Sequence, residues 1–392
     1  MASLHLDPAT TLPSDGAAGT LVGRAWLPAV EGPAVVVVRA DGLYDLTRAF
    51  PTVRDLAEAR DPAAAVAAAE GRRIGTLADV LANTPEEGRD QTKPWLIAPI
   101  DLQAIKAAGV TFAQSLLERV IEEQARGAPE KAAAVRAEVE GALGGAVAGL
   151  KPGSPQAAEL KRLLQTKGLW SQYLEVGIGP DAEIFTKAPP MAAVGTGASI
   201  GILAQSTWNN PEPEIVLVVN STGAIVGATL GNDVNLRDLE GRSALLLGKS
   251  KDNNASAAIG PFVRLFDSTF GLDDVRRAEV RLTVEGDDGF RLDGSSAMAR
   301  ISRDPADLVR QMIGSHHQYP DGAVLYLGTM FAPVKDRDAP GQGFTHHLGD
   351  VVTIASEKLG ALVNVVTTCD RAPPWRFGAG ALMRNLAKRG LL

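Results

Sequence analysis

The sequence predicts an α+β protein, built from a small α+β N-terminal domain and a β-rich C-terminal domain into which helices are inserted. Two observations lead there. Strand-like runs dominate both ends of the chain, with an Ala-, Leu- and Glu-rich helical block between them. Strands and helices also fail to alternate regularly, which argues against a doubly wound sheet or a (β/α) barrel. A chain of 392 residues has room for two or three domains.

The first strands are expected at Leu21–Trp26 and Ala34–Arg39, then at Leu43–Leu46 after an Asp41-Gly42 turn. Helices are expected over Thr52–Glu58 and the Ala-rich run Ala63–Arg72, closing a first domain of residues 1–98. The second domain, 99–392, opens with a helical insertion near 115–168. Its helices are Ser115–Gln124, Glu130–Leu150 and Gln156–Thr166, favoured by propensity and broken at Lys151-Pro152-Gly153. From Trp170 the texture turns to strands and loops: Glu214–Val219, Ala224–Leu230, Glu279–Val284, Val324–Leu327 and Val351–Ala355, with a helix at Pro305–Ile313.

Composition excludes several classes. With 45% hydrophobic and 22% charged residues the chain is neither disordered nor fibrous. A net charge of −7, with 39 basic residues scattered among 46 acidic ones, argues against a nucleic-acid partner. The single cysteine, Cys369, allows no intrachain disulfide and reads as a packing residue in a reducing compartment. The start, MASLHLDPATTLPSDG, lacks the basic-then-apolar pattern of a signal peptide. Apolar runs such as Ala34–Val38 and Ile215–Val219 fall far short of the roughly 20 residues that span a bilayer. A soluble, cytoplasmic protein with no membrane partner is expected.

The most informative segment is Trp208-Asn-Asn-Pro-Glu212-Pro-Glu214 and the apolar strand after it. Two glutamates one residue apart on an extended chain point to the same side. Asn220–Gly223 reads as a hairpin turn and Ala224–Gly231 as the return strand. A turn centred on Ser221 and Thr222 would set Glu214 near Thr229 and Glu212 near Gly231, with Asp233 just beyond. Three carboxylates converging there repel one another unless a cation lies between them. All-oxygen ligands favour a hard ion, Mg²⁺, with Mn²⁺ and Ca²⁺ as alternatives. The plainer reading is an exposed acidic strand end. Lys249 follows within twenty residues of Asp233. Beside such a cluster a lysine can neutralise charge, bind a substrate carboxylate or move a proton; elsewhere it is a solvated loop residue.

These residues resemble the fumarylacetoacetate hydrolase family. The family's Glu-x-Glu is matched by Glu212 and Glu214, and its later Asp by Asp233 within Asn232–Asp238. Its lysine stretch is matched by Gly248-Lys249-Ser250-Lys251-Asp252. Ile184–Pro190 and Val194–Gly197 upstream fit the same order, as do Leu327-Gly328-Thr329, Leu348–Val352 and Leu359–Leu362 downstream. The resemblance implies mixed sheets in a β-sandwich roll, a small 2-keto acid substrate and a homodimer or homotetramer. One departure matters. Where the hydrolases carry a water-activating histidine, Gly109–Ser115 ends in Ser115. That substitution, the Trp208–Glu214 string, Lys251–Ser256 and the ending Arg384–Leu392 resemble instead the sugar-acid dehydratase branch.

The reaction so implied is Mg²⁺-dependent dehydration of a 2-keto-3-deoxy-pentonate to 2,5-dioxopentanoate, in non-phosphorylative pentose catabolism. Glu212, Glu214 and Asp233 would hold the metal; Lys249 and Glu183 would be catalytic; Thr329, Ser115 and Lys251 would contact substrate. No other cofactor is expected. The runner-up is hydrolysis of a 2,4-diketo acid, with His346 or His347 restoring the missing base. A reading of another class is a non-catalytic small-ligand-binding protein on the same fold. Residues Gly195–Gly201 lack the Lys-Ser/Thr of a phosphate loop.

Overall fold

The run Pro213–Val219 is buried along its whole length, and its two faces serve two different cores. Ile215, Leu217 and Val219 join one cluster, while Val216 and Val218 join another. A strand covered on both faces needs apolar residues at every position, which is why this segment shows no alternation. In the computed structural model the chain is described over residues 4–147, 149–166, 168, 170–329, 333, 335–340 and 343–392. Residue 148, within the helix expected over Glu130–Leu150, and residues 341 and 342, within the loop expected before His346, lie outside these.

Among the described residues an 11-stranded sheet runs from edge to edge through Arg72–Gly75, Gly42–Asp45, Gly32–Arg39, Leu21–Leu27, Ala257–Leu265, Ile225–Asp233, Pro213–Val219, Ala323–Tyr326, Ala104–Gly109 and Glu183–Ala188, with Trp95–Ile97 pairing Leu21–Leu27 to one side. Its pairings are antiparallel except Ala323–Tyr326 on Ala104–Gly109. A second, 5-stranded sheet takes Arg291–Ala297, Glu279–Glu285, Val351–Ser356, Gly360–Thr368 and Ser199–Ile202. Leu217, Leu230, Leu282, Ile354 and Leu362 from the two sheets share one core, so the sheets pack face to face. On the other face, Val216, Val263 and Val324 are covered by Val53, Leu56 and Val66 of the N-terminal helices.

The boundary expected near residue 98 falls between Trp95–Ile97 and Ala104–Gly109, yet the sheet runs across it, because Leu21–Leu27 pairs with Ala257–Leu265. The helix expected over Ala63–Arg72 ends at Ala68; Arg72–Gly75 is instead an edge strand on Gly42–Asp45. Beyond Trp170, where strands and loops are expected, Gln172–Ile178 is a helix capped by Ser171. The insertion forms the helices Ala113–Gln124, Pro129–Val147 and Pro155–Thr166. Their apolar faces meet in one cluster built on Leu116, Val120, Ile121 and Leu174. No helix of the described residues is long and apolar enough to cross a membrane.

Phe262, 1% exposed on Ala257–Leu265, packs in one cluster with Leu21, Val36 and Leu43 of the N-terminal strands. Phe262→Ala is expected to cost about 3–5 kcal/mol. Urea unfolding followed by fluorescence should still show one transition, because the sheet is continuous; a separate early transition would show that residues 1–98 unfold alone.

Candidate functional site

The acidic cluster sits where the hairpin's apolar run gives way to polar residues. Glu214 pairs with Gly231 and Pro213 with Asn232, and the Asp233 N–H donates to the Glu212 carbonyl at 3.1 Å. This register lies two residues beyond the expected one because a bulge at Val218–Val219 adds one residue and a longer turn adds the other. It spans Asn220–Ala224, closed by Asn220 N–H to the Ala224 carbonyl (3.0 Å), with Gly223 at φ +85°. The shift sets Asp233 directly across from Glu212. Glu212, Glu214 and Asp233 each offer an oxygen within 4.8 Å of the others, and all three are buried.

Cations reach the cluster from three elements. Lys251 Nζ lies 2.8 Å from Glu212 Oε2 and 3.2 Å from Asp233 Oδ2. Lys187, fully buried, places Nζ 2.8 Å from Asp233 Oδ1 and donates to the Val234 and Lys251 carbonyls. Arg119, from the helix Ala113–Gln124, spans Glu212 Oε1 (2.7 Å), Glu122 Oε2 (2.7 Å) and Glu240 Oε2 (2.8 Å). Behind it Arg237 links Glu122 (2.6 Å) to Glu118 (2.9 Å), and Arg136 pairs with Glu118.

The charge balance is uneven. Burial works against ionised Asp233, but Lys187 and Lys251 outweigh it and hold its pKa below the ordinary value. Burial likewise opposes the charge on Lys251, yet Asp233, Glu212 and Glu240 keep its ammonium well above the usual range. Glu214 has no such relief. Burial, reinforced by Asp233 and Glu212, pushes its carboxyl well above the ordinary range, and its one hydrogen bond comes from the Gly328 N–H at 2.6 Å. Among the described residues no cation pairs with Glu214. Three buried carboxylates, one of them uncompensated and all offering oxygen, fit a hard divalent cation.

A small pocket of about 20 Å³ opens on the cluster, and Ser115, Arg119, Glu183, Phe185, Glu240 and Thr329 are in its wall. Glu183 stands apart. Glu212, Glu214, Asp233 and Glu240 are each engaged, whereas no hydrogen bond or ion pair reaches the Glu183 carboxyl among the described residues. Burial raises its pKa, partly offset by Arg119 and Lys251. Gly109 leaves room for it: a Cβ there would come 1.9 Å from Glu183 Oε2. Gly328, at φ +90°, meets a second close approach, where a Cβ would lie 2.1 Å from Thr111 Oγ1. Ser115 lines the pocket, but its hydroxyl donates to the Phe112 carbonyl at 2.9 Å.

Lys249 is not where the sequence reading places it. It is exposed, and its carbonyl accepts from Asn253 Nδ2 at 3.0 Å, while Lys251 enters the cluster. Both belong to the helical turn Leu247–Lys251, and two residues turn a helix by roughly 200°, so only one can face inward. Lys187, Arg119 and Glu240 were not singled out from sequence. Glu183, Phe185 and Lys187 share one strand face by alternation, and Arg119 lies one turn after Ser115; those were the available signals. His346 does not line the pocket. It is buried with Nδ1 3.1 Å from Asp350 Oδ2, and burial lowers its pKa. Burial raises the Cys369 thiol to about 11, so it is not poised as a thiolate.

Comparison with known proteins identifies the family and the fold. The C-terminal pattern of fumarylacetoacetate hydrolase matches residues 170–367, half of the chain. The chain belongs to the fumarylacetoacetate hydrolase family. It is 34% identical over 196 residues to a probable 2-keto-3-deoxyxylonate dehydratase of Haloferax volcanii, covering 50% of this chain and 64% of that protein. It is 30% identical over 184 residues to a 2-dehydro-3-deoxy-D-arabinonate dehydratase of Saccharolobus solfataricus, covering 47% and 58%. The matched stretch thus spans less than two thirds of either relative. In fold, the chain resembles the apo form of a 2-keto-3-deoxy-D-arabinonate dehydratase (TM-score 0.62, 20% identity, 89% of this chain and 99% of that one). A structure of 2-keto-3-deoxy-D-arabinonate dehydratase complexed with magnesium and 2,5-dioxopentanoate gives TM-score 0.61 at 19% identity, with the same coverage.

Asp233→Asn removes one of three candidate ligands. Mn²⁺ affinity, read by electron paramagnetic resonance, is expected to fall by more than the about 10–100-fold typical of losing an outer-shell partner. Unchanged affinity would place the metal elsewhere.

Proposed function

We propose that the chain is a Mg²⁺-dependent dehydratase that converts a 2-keto-3-deoxy-pentonate to 2,5-dioxopentanoate. The observation that carries this reading is the pairing of a buried carboxylate triad with one unpartnered carboxyl, Glu183, in a pocket lined by no histidine. Water activation for hydrolysis wants a base such as histidine, whereas elimination of water needs a carboxyl that can take a proton and return it. The names of the two relatives, and the magnesium and 2,5-dioxopentanoate of the solved dehydratase, support the same assignment.

Glu212, Glu214 and Asp233 would hold Mg²⁺. When bound, the ion supplies Lewis-acid charge for the oxygens of the 2-keto acid head. Lys251 stays protonated between Glu212 and Asp233 and so acts as a fixed positive charge beside that head, not as a base. Thr329 lines the pocket and would bind substrate through its hydroxyl, and Ser115 would shape the wall. The Glu183 carboxylate takes the C3 proton. The C3–H electron pair becomes the C3=C4 bond, the C4–O bond breaks, and the proton returned by Glu183 leaves with the hydroxyl as water. The enone then loses a C5 proton and regains one at C3. The resulting 5-enol tautomerises to the aldehyde, with no net oxidation.

Turnover of 2-keto-3-deoxy-D-xylonate, coupled to an aldehyde dehydrogenase, is expected with Mg²⁺ and lost with EDTA. Pyruvate release from a 2,4-diketo acid, without aldehyde, would favour the hydrolase instead. Glu183→Gln should lower kcat by about 10²–10⁴-fold, and Lys251→Met should disable the site while Lys249→Met leaves it working. Because Glu183 must be ionised to take the C3 proton and burial raises its pKa, kcat/KM should fall with decreasing pH through an apparent pKa above that of an ordinary glutamate. A profile flat across that range would remove Glu183 as the base.

A further inference from the structure

A second cavity, of about 470 Å³, lies behind the catalytic pocket, within the roughly 300–1,000 Å³ usual for small-molecule sites. Phe112, Leu116, Val147 and Ile178 make its wall apolar, and Lys151 and Arg300 bring two cations to it. Among the described residues none that lines it is acidic, in a chain with 46 carboxylate side chains. Both are exposed, and among the described residues neither Lys151 nor Arg300 forms an ion pair. An apolar chamber with unpaired cations and no acid is complementary to a carboxylate carrying a hydrocarbon tail.

The cavity and the catalytic pocket share a partition, residues 108–116. Ala108, Gly109 and Ser115 face the pocket, Phe112, Ala113 and Leu116 face the cavity, and Val110 lines both. Val110 has φ +51°, a left-handed conformation that is a genuine outlier for a β-branched residue and persists only where its surroundings impose it. Hydrogen bonds cross the partition. Ser302, on the cavity side, donates to the Thr111 carbonyl at 2.8 Å. Thr111 Oγ1 donates to the Leu327 carbonyl at 2.7 Å, and the next residue's N–H, of Gly328, binds Glu214. A ligand that moves Ser302 therefore acts, through Thr111 and Leu327, on the residue that donates a hydrogen bond to the candidate metal ligand Glu214.

We infer that this cavity is an effector site for a medium-chain carboxylate, coupled to the catalytic pocket through residues 108–116. The binding claim stands alone; only its effect on turnover rests on the proposed dehydration. The probe is octanoate, titrated calorimetrically into the Mg²⁺-loaded full chain. Saturable binding at one site is expected, weakened at least tenfold by the double substitution Lys151→Ala/Arg300→Ala and by Ala299→Trp. Ala299 lines the cavity and is exposed, so tryptophan there fills space without disturbing a core. Octanoate should also shift KM for the keto acid in the parent chain but not in the variants. Inorganic phosphate should not bind. No saturable octanoate binding, binding untouched by both variants, or phosphate binding as tightly as octanoate would each overturn the inference. Octanoate binding in a chain that turns over no 2-keto-3-deoxy-pentonate would leave the cavity standing and refute the dehydratase reading alone.

Discussion

The structure around the hairpin end is governed by the burial of more negative than positive charge. Glu118, Glu122, Glu183, Glu212, Glu214, Asp233 and Glu240 face Arg119, Arg136, Lys187, Arg237 and Lys251, seven acids against five cations. Buried charge is tolerated only when paired and hydrogen-bonded. The two negative charges left over equal the charge of one divalent ion. The imbalance is also localised. It falls on Glu214, which has only a backbone N–H, and on Glu183, which has no partner among the described residues.

The elements carrying the cations follow from this constraint. Lys187 comes from the sheet edge, Lys251 from a helical turn and Arg119 from the inserted helix, so no single local segment could build the site. The long insertion contributes through Arg119, Glu118, Glu122 and Arg136, which extend an alternating ladder outward from Glu212. Alternation lets Arg119 serve three carboxylates and Arg237 two through the planar fork. The cost of burying Glu212 is thereby spread over a chain of pairs that ends at Arg136, itself partly exposed.

What was legible in the sequence was local. Glu212 and Glu214 announce themselves by a period of two, and the apolar run behind them fixes the strand. The hairpin was legible but its register was not, because turn length depends on how Asn220 and Gly223 close the loop and the bulge at Val218–Val219 leaves no mark in the sequence; together they move Asp233 from beyond Glu212 to opposite it. The choice between Lys249 and Lys251 needed the knowledge that Leu247–Lys251 is helical. Treated as a loop, either lysine could reach. Pairings across long separations were hidden altogether. Nothing near Leu21 shows that its partner is Arg264, so the N-terminal strands read as a separate unit although they extend the same sheet. Arg119 and Lys187 were hidden for the same reason: each is ordinary in its own segment and acquires meaning only from the acids it meets.

The serine at position 115 draws these points together. In the hydrolases that the family is named for, the resemblance places a base on this helix. Here Ser115 is tied to the Phe112 backbone, and the residue one turn on, Arg119, points the helix at the site as a cation. Ser115 offers no base, and a carboxylate beside Arg119 would be locked into an ion pair, so in the proposed dehydration proton transfer would come from elsewhere. Glu183 is the proposed source, on the facing strand, where Gly109 clears space and among the described residues no cation pairs with the carboxyl. The fixed charges Lys251, Lys187 and Arg119 and the free carboxyl Glu183 then divide the work. The former hold the acidic cluster in one arrangement, and the latter is left unpaired among the described residues, as the proposed transfer of a proton from C3 to the departing hydroxyl would require.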